Sequence, residues 1–418
     1  MEFYLLAFLF FVGFVAAYKD FRKHFLLFFV LLIYFICFFL GPLNSINLDL
    51  YTHLGGNFHT GFDDTMQLYV LAIFCLLLGY SFTYNFLKLK LLDTQQQYSL
   101  NPRHGVYMWF FFISLASMIK RNFEEDVYGG GFYNYLVFLG DSLILAFIIL
   151  IFEKKFYKKW HWFLLVSSLL AYMVLGFRYR ILLLIIGVIY HFLVTTRFSF
   201  KSIVKWVFLG WLVVYSINFI TLNREALKTL DFSEVTFESK VQYGLSPYQL
   251  VMQQTDNYKT EMMIVKYVRD NDVAYDFGES MFTHIFIRII PASFFEGKVK
   301  PEIPQIKIIK NSFNSIEGLY AGAAVSNVIE FYIAFGIFGI IFFMLVFGLF
   351  LGYLAKRSNL NNARDRVIIV MVAMVLFQEI TRGYLPQNVT LLAFLLITLK
   401  LFYKKTYVST RHEYTNTL

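Results

Sequence analysis

Residues 334–354 read AFGIFGIIFFMLVFGLFLGYL, a stretch of 21 residues without a charged side chain. At about 1.5 Å per residue, a helix of this length crosses the roughly 30 Å hydrocarbon core of a bilayer. The rest of the chain has the same character, since 58% of its 418 residues are hydrophobic and 20% are aromatic. This composition excludes a soluble globular domain and predicts an integral membrane protein.

Similar apolar stretches recur along the chain and predict an all-α, polytopic protein with about eleven membrane-spanning helices. The predicted spans are Phe3–Tyr18, Phe25–Leu43, Met66–Leu87, Gly105–Ile119, Tyr133–Phe152, Trp162–Gly176, Ile181–Thr195, Ile203–Thr221, Ala334–Leu354, Val367–Ile380 and Val389–Tyr403. No basic residue precedes the first span, so we expect an anchor that stays in the mature chain. Cys37 and Cys75 lie inside predicted spans and are expected to be buried thiols.

Lysine and arginine in the short loops set the predicted orientation, because basic loops stay on the cytoplasmic side of a membrane. With these spans, the basic clusters fall on one side, at residues 19–23, 88–103, 154–159, 197–201, 356–366 and 404–411. The amino terminus is therefore predicted outside and the carboxyl terminus in the cytoplasm. The net charge of +9 comes mostly from these basic clusters on the predicted cytoplasmic side and does not indicate nucleic-acid binding.

A polar stretch of roughly 100 residues, Leu222–Gly322, interrupts the spans and is far longer than ordinary inter-helix connections. We call residues 222–322 the outer segment. The predicted organisation is an N-terminal bundle of about eight spans over residues 1–221, the outer segment with short helices, C-terminal spans over residues 323–403 and a cytoplasmic tail over residues 404–418. Because so much polar sequence lies on one side, we expect the chemistry to take place there.

Arg178 and Arg180 break the charge rule, because they lie in a short connection predicted on the outer side. Residues 162–195 cannot form one spanning helix, since it would extend about 50 Å through a core of about 30 Å. A recessed arginine reaches for lipid headgroups or needs a cavity or an anion as its partner. Two arginines on alternate positions favour an anion site.

Five further cations lie near the predicted outer face. Arg224 follows the eighth span, Arg382 ends the tenth span, and the outer segment contains Arg288, Lys298 and Lys300. A solvated side chain is the simple alternative for each of them, because long loops are exempt from the charge rule. Arg224 and Arg382 are the better candidates, since they lie at helix ends, at the depth of a lipid phosphate.

Residues 280–290 have helical periodicity, with Phe282 and Phe286 on an apolar face and His284 and Arg288 on the other. This pattern predicts a helix lying at the membrane interface. Such a helix either only anchors the outer segment or turns His284 and Arg288 towards a cavity. In the second case, His284 exchanges a proton near neutral pH while Arg288 stays charged.

Glu330 lies just before the span at residues 334–354. Residues 323–332 and this span are together too long for one crossing, so we expect a short outer helix or a break at Gly336. Glu330 then lies at the outer surface or slightly inside it. It is either a salt-bridge partner of an arginine or a base that activates a hydroxyl group.

Three shorter patterns add expectations about packing and pairing. Asp141, inside the fifth span, needs a partner at membrane depth. Glu379 and Arg382 are three residues apart and predict a local ion pair. Gly348 and Gly352 form a small-xxx-small pattern that is typical of close helix packing. The sequence contains no phosphate-binding glycine loop, zinc motif or nucleophile elbow.

The overall plan and three local patterns resemble the Wzy-type polymerases of O-antigen and capsular repeat units, which are related to O-antigen ligases. Residues 176–180 read GFRYR before an apolar helix, Ile290–Pro291 and Lys300–Pro301 are similar to a proline-to-lysine-proline signature, and residues 330–339 read EFYIAFGIFG, similar to the family's Glu-x-Tyr-x-x-Phe-Gly-x-x-Gly. Ala292 stands in place of the usual arginine, the lysine-proline pair is displaced, and Ile329 replaces a common glycine.

The resemblance implies a GT-C-like glycosyltransferase of the bacterial inner membrane. Its substrate would be an undecaprenyl-diphosphate-linked oligosaccharide at the outer face, and the growing glycan would move to the non-reducing end of another lipid-linked unit. Membrane lipids and a chain-length regulator protein are the implied partners. An O-antigen ligase shares this plan, and a flippase or exporter of lipid-linked oligosaccharides would bind the same diphosphate, but a flippase should have short loops on both faces.

The expected roles follow from this reaction. The residues expected to bind the diphosphate are Arg178, Arg180, Arg224, Arg288 and Arg382. Glu330 or His284 is the expected catalytic base at the acceptor hydroxyl, and Tyr332 and Lys300 are expected to contact sugars. We expect no metal and no cofactor, because the arginines supply the positive charge that a departing diphosphate needs.

Overall fold

A computed structural model of the chain describes residues 1–43, 61–87, 97–123, 132–175, 178–195, 257–290, 300–312 and 325–406, together with residues 219, 223, 226, 233, 235, 294, 295 and 297. Within these ranges, the side chains of residues 97, 120–123, 132–134, 178 and 289 lie outside the described part. The predicted eighth span, Ile203–Thr221, lies outside the described residues except for residue 219.

The described chain is predominantly helical. The N-terminal helices are α1 (Glu2–Tyr18), α2 (Phe25–Leu43, with a π-helical stretch at Phe35–Leu40), α3 (Phe62–Phe86), α4 (His104–Phe123), α5 (Phe132–Phe152), α6 (Lys159–Val174) and α7 (Arg178–Thr195). The outer segment contributes α8 (Asn257–Asp270), a π-helical turn (Glu279–Thr283) that continues into α9 (His284–Ile289), and α10 (Pro304–Ser312). The C-terminal helices are α11 (Asn327–Arg357), α12 (Ala363–Arg382) and α13 (Leu385–Phe402).

Each predicted span within the described residues coincides with one of these helices. Five helical stretches are long and apolar enough to cross a membrane: Phe25–Leu43, Phe62–Phe86, Tyr135–Phe152, Asn327–Arg357 and Leu385–Phe402. Shorter apolar stretches lie in α1, α4 and α7. The chain is therefore a polytopic helical membrane protein, and the total of about eleven crossings remains a prediction. Cys37 and Cys75 are buried free thiols, as expected.

A two-stranded antiparallel sheet adds to the predicted all-α fold. Strand β1 (Gln97–Leu100) pairs with β2 (Tyr403–Thr406), with Leu100 opposite Tyr403. Strands of four residues are too short to show the alternation by which sequence analysis detects a strand. The pairing holds the segment just before α4 and the end of α13 next to each other.

Helices α3 and α11 approach each other closely at glycine. A Cβ atom on Gly348 would lie 2.1 Å from the carbonyl oxygen of Leu76, and one on Gly352 would lie 2.9 Å from that of Tyr80. Lipid tails are as apolar as leucine, so helices in a bilayer are joined by close backbone packing rather than by the hydrophobic effect. The packing role predicted for Gly348 and Gly352 is thus confirmed.

Helix α11 breaks at Gly336, as predicted. Gly336 has φ 64° and ψ −149°, and the ring of Tyr275 occupies the space beside it, 2.6 Å from where a Cβ atom would lie. The break frees the carbonyl oxygens of residues 333 and 334, which accept hydrogen bonds from the backbone N–H groups of residues 276 and 277 at 3.3 and 3.0 Å. The outer segment therefore completes the hydrogen bonding of the broken helix.

The start of α11 is buried, and other helices satisfy its polar groups. Glu261 of α8 accepts hydrogen bonds from the backbone N–H of Ser326 and from the hydroxyl of Tyr69 on α3. Tyr34 on α2 donates to Oδ1 of Asn327 at 2.8 Å. No sequence pattern singles out Glu261, which is a fully buried carboxyl in a polar segment. The outer segment is thus anchored to the bundle by a buried acid.

Replacement of Gly336 by alanine is expected to destabilise the protein by about 1–3 kcal/mol, because this backbone region is essentially restricted to glycine. The added methyl would also collide with the Tyr275 ring. The measurement is the thermal unfolding midpoint of the purified protein in detergent. Gly105→Ala is the control, since its Cβ would make only an ordinary 3.5 Å contact with Trp160. Equal midpoints for the two variants would contradict the expected strain.

Glu261→Gln is expected to flatten the pH dependence of stability. Burial raises the pKa of Glu261 above its ordinary value of 4.5, while the hydrogen bonds from Tyr69 and Ser326 oppose that shift. An acid with a raised folded pKa stabilises the fold below its unfolded pKa, and this contribution is lost as pH rises through the folded value. The wild-type unfolding midpoint should therefore fall as pH rises from about 4.5 through the raised pKa of Glu261, and that part of the slope should vanish in Glu261→Gln.

The matched control is Glu302→Gln, which neutralises an exposed carboxylate of the same segment. Its pH slope should match the wild type. A Glu261→Gln slope equal to that of the wild type would show that the buried carboxyl does not titrate with folding.

Candidate functional site

The predicted catalytic acid lies where α11, α12 and α13 meet. Helix α12 ends at Gly383, which adopts the left-handed conformation (φ 42°), and Pro386 in the first turn of α13 starts the next helix. This sharp turn directs the N-terminus of α13 at the fully buried Glu330, whose Oε1 accepts a hydrogen bond from the backbone N–H of Leu385 at 3.0 Å. The positive end of the helix dipole thus faces the carboxylate.

The second carboxylate oxygen of Glu330 is available. Among the residues that the structure describes, the buried Oε2 of Glu330 has no hydrogen-bond partner. A buried acceptor without a partner costs about 1–3 kcal/mol, so its persistence calls for an explanation such as a missing ligand. The site therefore presents one held oxygen and one oxygen that is free to bind.

Glu379, in the last turn of α12, is a second buried acid beside Glu330. The two carboxylates interact electrostatically, and Oε2 of Glu379 accepts a hydrogen bond from Nδ2 of Asn388 at 2.6 Å. The predicted local ion pair of Glu379 with Arg382 is wrong for the described structure, where Arg382 is exposed at the helix end. The sequence could not reveal that the next helix offers Glu379 a closer partner.

Arg288 is the half-buried cation of this site. It lies in the last turn of α9, and its Cζ is 5.6 Å from the ring centroid of Phe138 and 5.5 Å from that of Tyr384. Its Nε is buried and has no hydrogen-bond partner within the described part of the chain. Lys300 approaches from the extended return of the outer segment, where its Nζ donates to the carbonyl oxygen of Arg288 at 2.8 Å.

Tyr384 connects the cation to the acid. Its hydroxyl interacts with the guanidinium of Arg288 and lies within electrostatic range of Glu330. Burial raises the pKa of Tyr384 and Arg288 opposes this shift, so the phenol remains a proton donor at neutral pH. Sequence analysis missed Tyr384. The available signal was the Gly383 to Pro386 turn, which predicts that α12 and α13 meet at this point.

His284 and Lys300 both have their charged forms disfavoured by burial. His284, one helical turn before Arg288, is almost fully buried. Burial lowers its pKa, although the carboxylates of Glu279 and Asp276 oppose the shift, so the imidazole is neutral at neutral pH. Burial also lowers the pKa of Lys300, and the neighbouring charge of Arg288 lowers it further.

Arg180, expected in a diphosphate site, has a different setting from Arg288. Its side chain is 0% exposed, and it binds Asp141 of α5 through Nε at 2.6 Å from Oδ1 and through Nη2 at 3.3 Å from Oδ2. The ring of Tyr179 lies 4.6 Å from its Cζ. This two-point contact supplies the partner that Asp141 was predicted to need. The charge of Arg180 is thus already balanced.

The other predicted site residues are not all brought together. Arg178 begins α7, but its side chain lies outside the described part, and Arg224 lies outside the described residues altogether. Tyr332 points towards Tyr275, with their ring centroids 6.4 Å apart, and not towards Glu330. A helix turns by about 100° per residue, so residues two apart face different neighbours. Among the described residues, no group of three or more metal-ligating side chains converges.

The fold and this site define a multi-pass helical membrane protein with a buried acid and a half-buried arginine at one end of its bundle. Comparison with known families then gives a particular assignment. The sequence profile described as "O-antigen polysaccharide polymerase Wzy" matches residues 1–412, and the chain belongs to this family. The match confirms the resemblance seen at residues 176–352 and extends it over the whole chain. Neither the curated proteins nor the solved structures searched give a match.

Replacing Asp141 by asparagine should destabilise the protein by about 3–5 kcal/mol, because it leaves the charge of Arg180 buried without a counter-ion. The double variant Asp141→Leu, Arg180→Met removes both charges and should recover most of this loss. Thermal unfolding in detergent measures both effects. As the control, Glu302→Gln breaks the exposed ion pair with Lys310 and should shift stability by less than about 1 kcal/mol. A harmless Asp141→Asn would argue against the buried pair.

Proposed function

We propose that this polymerase transfers the growing glycan from undecaprenyl diphosphate to the non-reducing end of another lipid-linked repeat unit, at the outer face of the inner membrane. Membership of the Wzy family supplies the role in O-antigen synthesis. The proposed chemistry rests on two buried atoms that have no hydrogen-bond partner among the described residues, Oε2 of Glu330 and Nε of Arg288. Both residues interact with Tyr384.

Glu330 is the proposed base at the acceptor hydroxyl. The Leu385 N–H holds one carboxylate oxygen and thereby orients the other, which is free to accept the proton of the attacking hydroxyl. His284 is the second candidate, because its neutral imidazole is also able to accept a proton. Glu330 is favoured, since it has both a fixed orientation and an open acceptor atom.

Arg288 is the proposed principal ligand of the diphosphate. A fixed guanidinium with an open N–H group stabilises the negative charge that develops on the departing diphosphate, and the aromatic rings of Phe138 and Tyr384 hold it in place. Lys300 lies beside Arg288, where its Nζ donates to the Arg288 carbonyl oxygen. In the proposal, Lys300 adds a second cation to the site and contacts the first sugar. The exposed Arg382 is proposed as a ligand at the rim.

Arg178, at the start of α7, and Arg224 share this task in the proposal. Arg178 and Arg224 would bind the diphosphate from the membrane side, as their sequence positions predict. Arg180 acts differently, because Asp141 balances its charge. We assign Arg180 a positioning role that holds the first turn of α7, and with it Arg178. Tyr332, paired with Tyr275, would stack on sugars farther from the reacting bond.

The decisive experiment incubates the purified, reconstituted protein with the lipid-linked repeat unit alone. A ladder of longer glycans supports polymerisation. Elongation that appears only after lipid A core is added would instead identify a ligase. Movement of the intact unit across the bilayer without elongation would identify a flippase.

In this assay, Glu330→Gln should lower the turnover rate by a factor of about 10²–10⁴, with little change in KM, because the amide cannot accept the proton. Arg288→Lys should also lower turnover, since an ammonium group lacks the planar N–H pair. The control is Glu302→Gln, which removes an exposed acid in the outer segment, away from the proposed site. This variant should elongate glycans at the wild-type rate. Wild-type rates in Glu330→Gln and Arg288→Lys would exclude the proposed roles.

The same assay tests Arg180. If Arg180 only positions α7, the double variant Asp141→Leu, Arg180→Met should retain a ladder, with turnover within about tenfold of the wild type. If Arg180 binds the diphosphate directly, the double variant should lose the ladder although it is folded.

A further inference from the structure

A second cluster of polar side chains lies at the opposite end of the bundle, around the ring of Phe152 at the end of α5. The ring centroid of His191 is 4.7 Å from that of Phe152, and the ring centroid of Tyr190 is 6.2 Å from it. Arg366, in the first turn of α12, places its Cζ 5.6 Å from the same centroid. Residues far apart in the sequence thus converge on one ring.

Each of these three side chains carries a buried polar atom without a hydrogen-bond partner. Within the described part of the chain, these atoms are the hydroxyl of Tyr190, Nδ1 of His191 and Nε of Arg366. The Tyr190 side chain is fully buried, whereas His191 and Arg366 are partly exposed. The cluster therefore has a closed floor and an accessible rim. Three unpaired groups at one place, each costing about 1–3 kcal/mol, indicate an absent ligand rather than a single packing defect.

The chemistry of the cluster selects an anion. A guanidinium, a phenol and an imidazole are all able to donate, so the complementary ligand is rich in acceptor oxygens. Lys154 and Arg364 add positive charge, since Lys154 interacts with His191, and Arg364 acts on the nearby Tyr403. Two described acids lie in this region: Glu153 interacts with the Tyr403 side chain, and Asp365 accepts a hydrogen bond from the backbone N–H of Asn359 at 3.0 Å. The cations Lys154, Arg364 and Arg366 outnumber them.

The position of the cluster matches the level of lipid headgroups. Arg366 follows the first residues of α12, and Tyr190 lies near the end of α7. The β1–β2 sheet adjoins the cluster, because the Cζ of Arg364 lies 3.9 Å from the Tyr98 ring of β1. This end of the bundle carries the basic loops and is the predicted cytoplasmic side.

We infer that Tyr190, His191 and Arg366 form a binding site for a phosphate group at the cytoplasmic headgroup level, separate from the polymerisation site. The phosphate belongs either to an anionic phospholipid of the inner leaflet or to a free phosphate ion. Arg366 binds its charge, and the Tyr190 hydroxyl donates from the floor of the site.

Native mass spectrometry of the full-length protein in detergent tests this site. The protein is titrated with phosphatidylglycerol or with phosphatidylcholine, and the bound fractions are compared. The wild type should retain phosphatidylglycerol about tenfold better, as one charge-assisted hydrogen bond predicts. Arg366→Gln should abolish this preference, and Tyr190→Phe should reduce it about threefold. Arg357→Gln removes an exposed cation at the same end and should preserve the preference.

A separate arm identifies the source of the phosphate. If inorganic phosphate raises the unfolding midpoint of the wild type but not that of Arg366→Gln, the site binds a free phosphate ion. If the wild type prefers phosphatidylglycerol and inorganic phosphate does not shift its midpoint, the site binds a lipid headgroup. Arg366→Lys keeps the charge and serves if Arg366→Gln does not fold; it should lower the preference about threefold. The inference is overturned if the wild type neither distinguishes the two lipids nor responds to phosphate. It is also overturned if Arg357→Gln loses as much of the preference for phosphatidylglycerol as Arg366→Gln does.

Discussion

The start of α11 is buried, and the need to satisfy its polar groups determines which helices pack around it. A helix N-terminus inside a bundle has backbone N–H groups and polar side chains that water does not reach, so protein groups must satisfy them. Glu261 accepts from Ser326, Tyr34 binds Asn327, and Glu330 accepts from the first turn of α13. These contacts bring an outer-segment helix and two bundle helices to one point. The proposed site lies at the same point, because Glu330, which accepts a hydrogen bond from α13 in this packing, is also the proposed base.

The outer segment is consequently part of the bundle rather than a separate domain beside it. At Gly336 the helix breaks, and the backbone of residues 276–277 occupies the freed carbonyl oxygens. This joint sets the position of α9, which follows within a few residues and carries Arg288 against Phe138 and Tyr384. Removal of the outer segment would therefore leave unsatisfied backbone groups in α11 as well as removing a cation from the site.

Two arginines, the buried Arg180 and the half-buried Arg288, have different partners. Arg180 and Asp141 compensate each other, and breaking such a pair costs far more than its formation contributes. Among the residues that the structure describes, Arg288 has aromatic neighbours, no carboxylate partner and an Nε without a hydrogen-bond partner, so its charge is available to an incoming anion. The same reasoning at the other end of the bundle distinguishes Arg366 from the exposed Arg357. Arg288 and Arg366 are the candidate anion-binding residues because each has a buried Nε without a hydrogen-bond partner among the described residues, whereas Arg180 is paired with Asp141.

Sequence alone determined the features that depend on local composition: the apolar helices, the break at Gly336 and the close packing at Gly348. Each follows from helix geometry and the solvent properties of a bilayer within a short window. Even the nomination of Glu330 and Arg288 came from their place beside predicted spans. Only the tertiary structure paired Asp141 with Arg180, buried Glu261 and brought Tyr384 within interaction range of both Arg288 and Glu330. Those features require residues distant in the chain to meet, and spacing along a sequence does not encode which helix faces fall opposite one another.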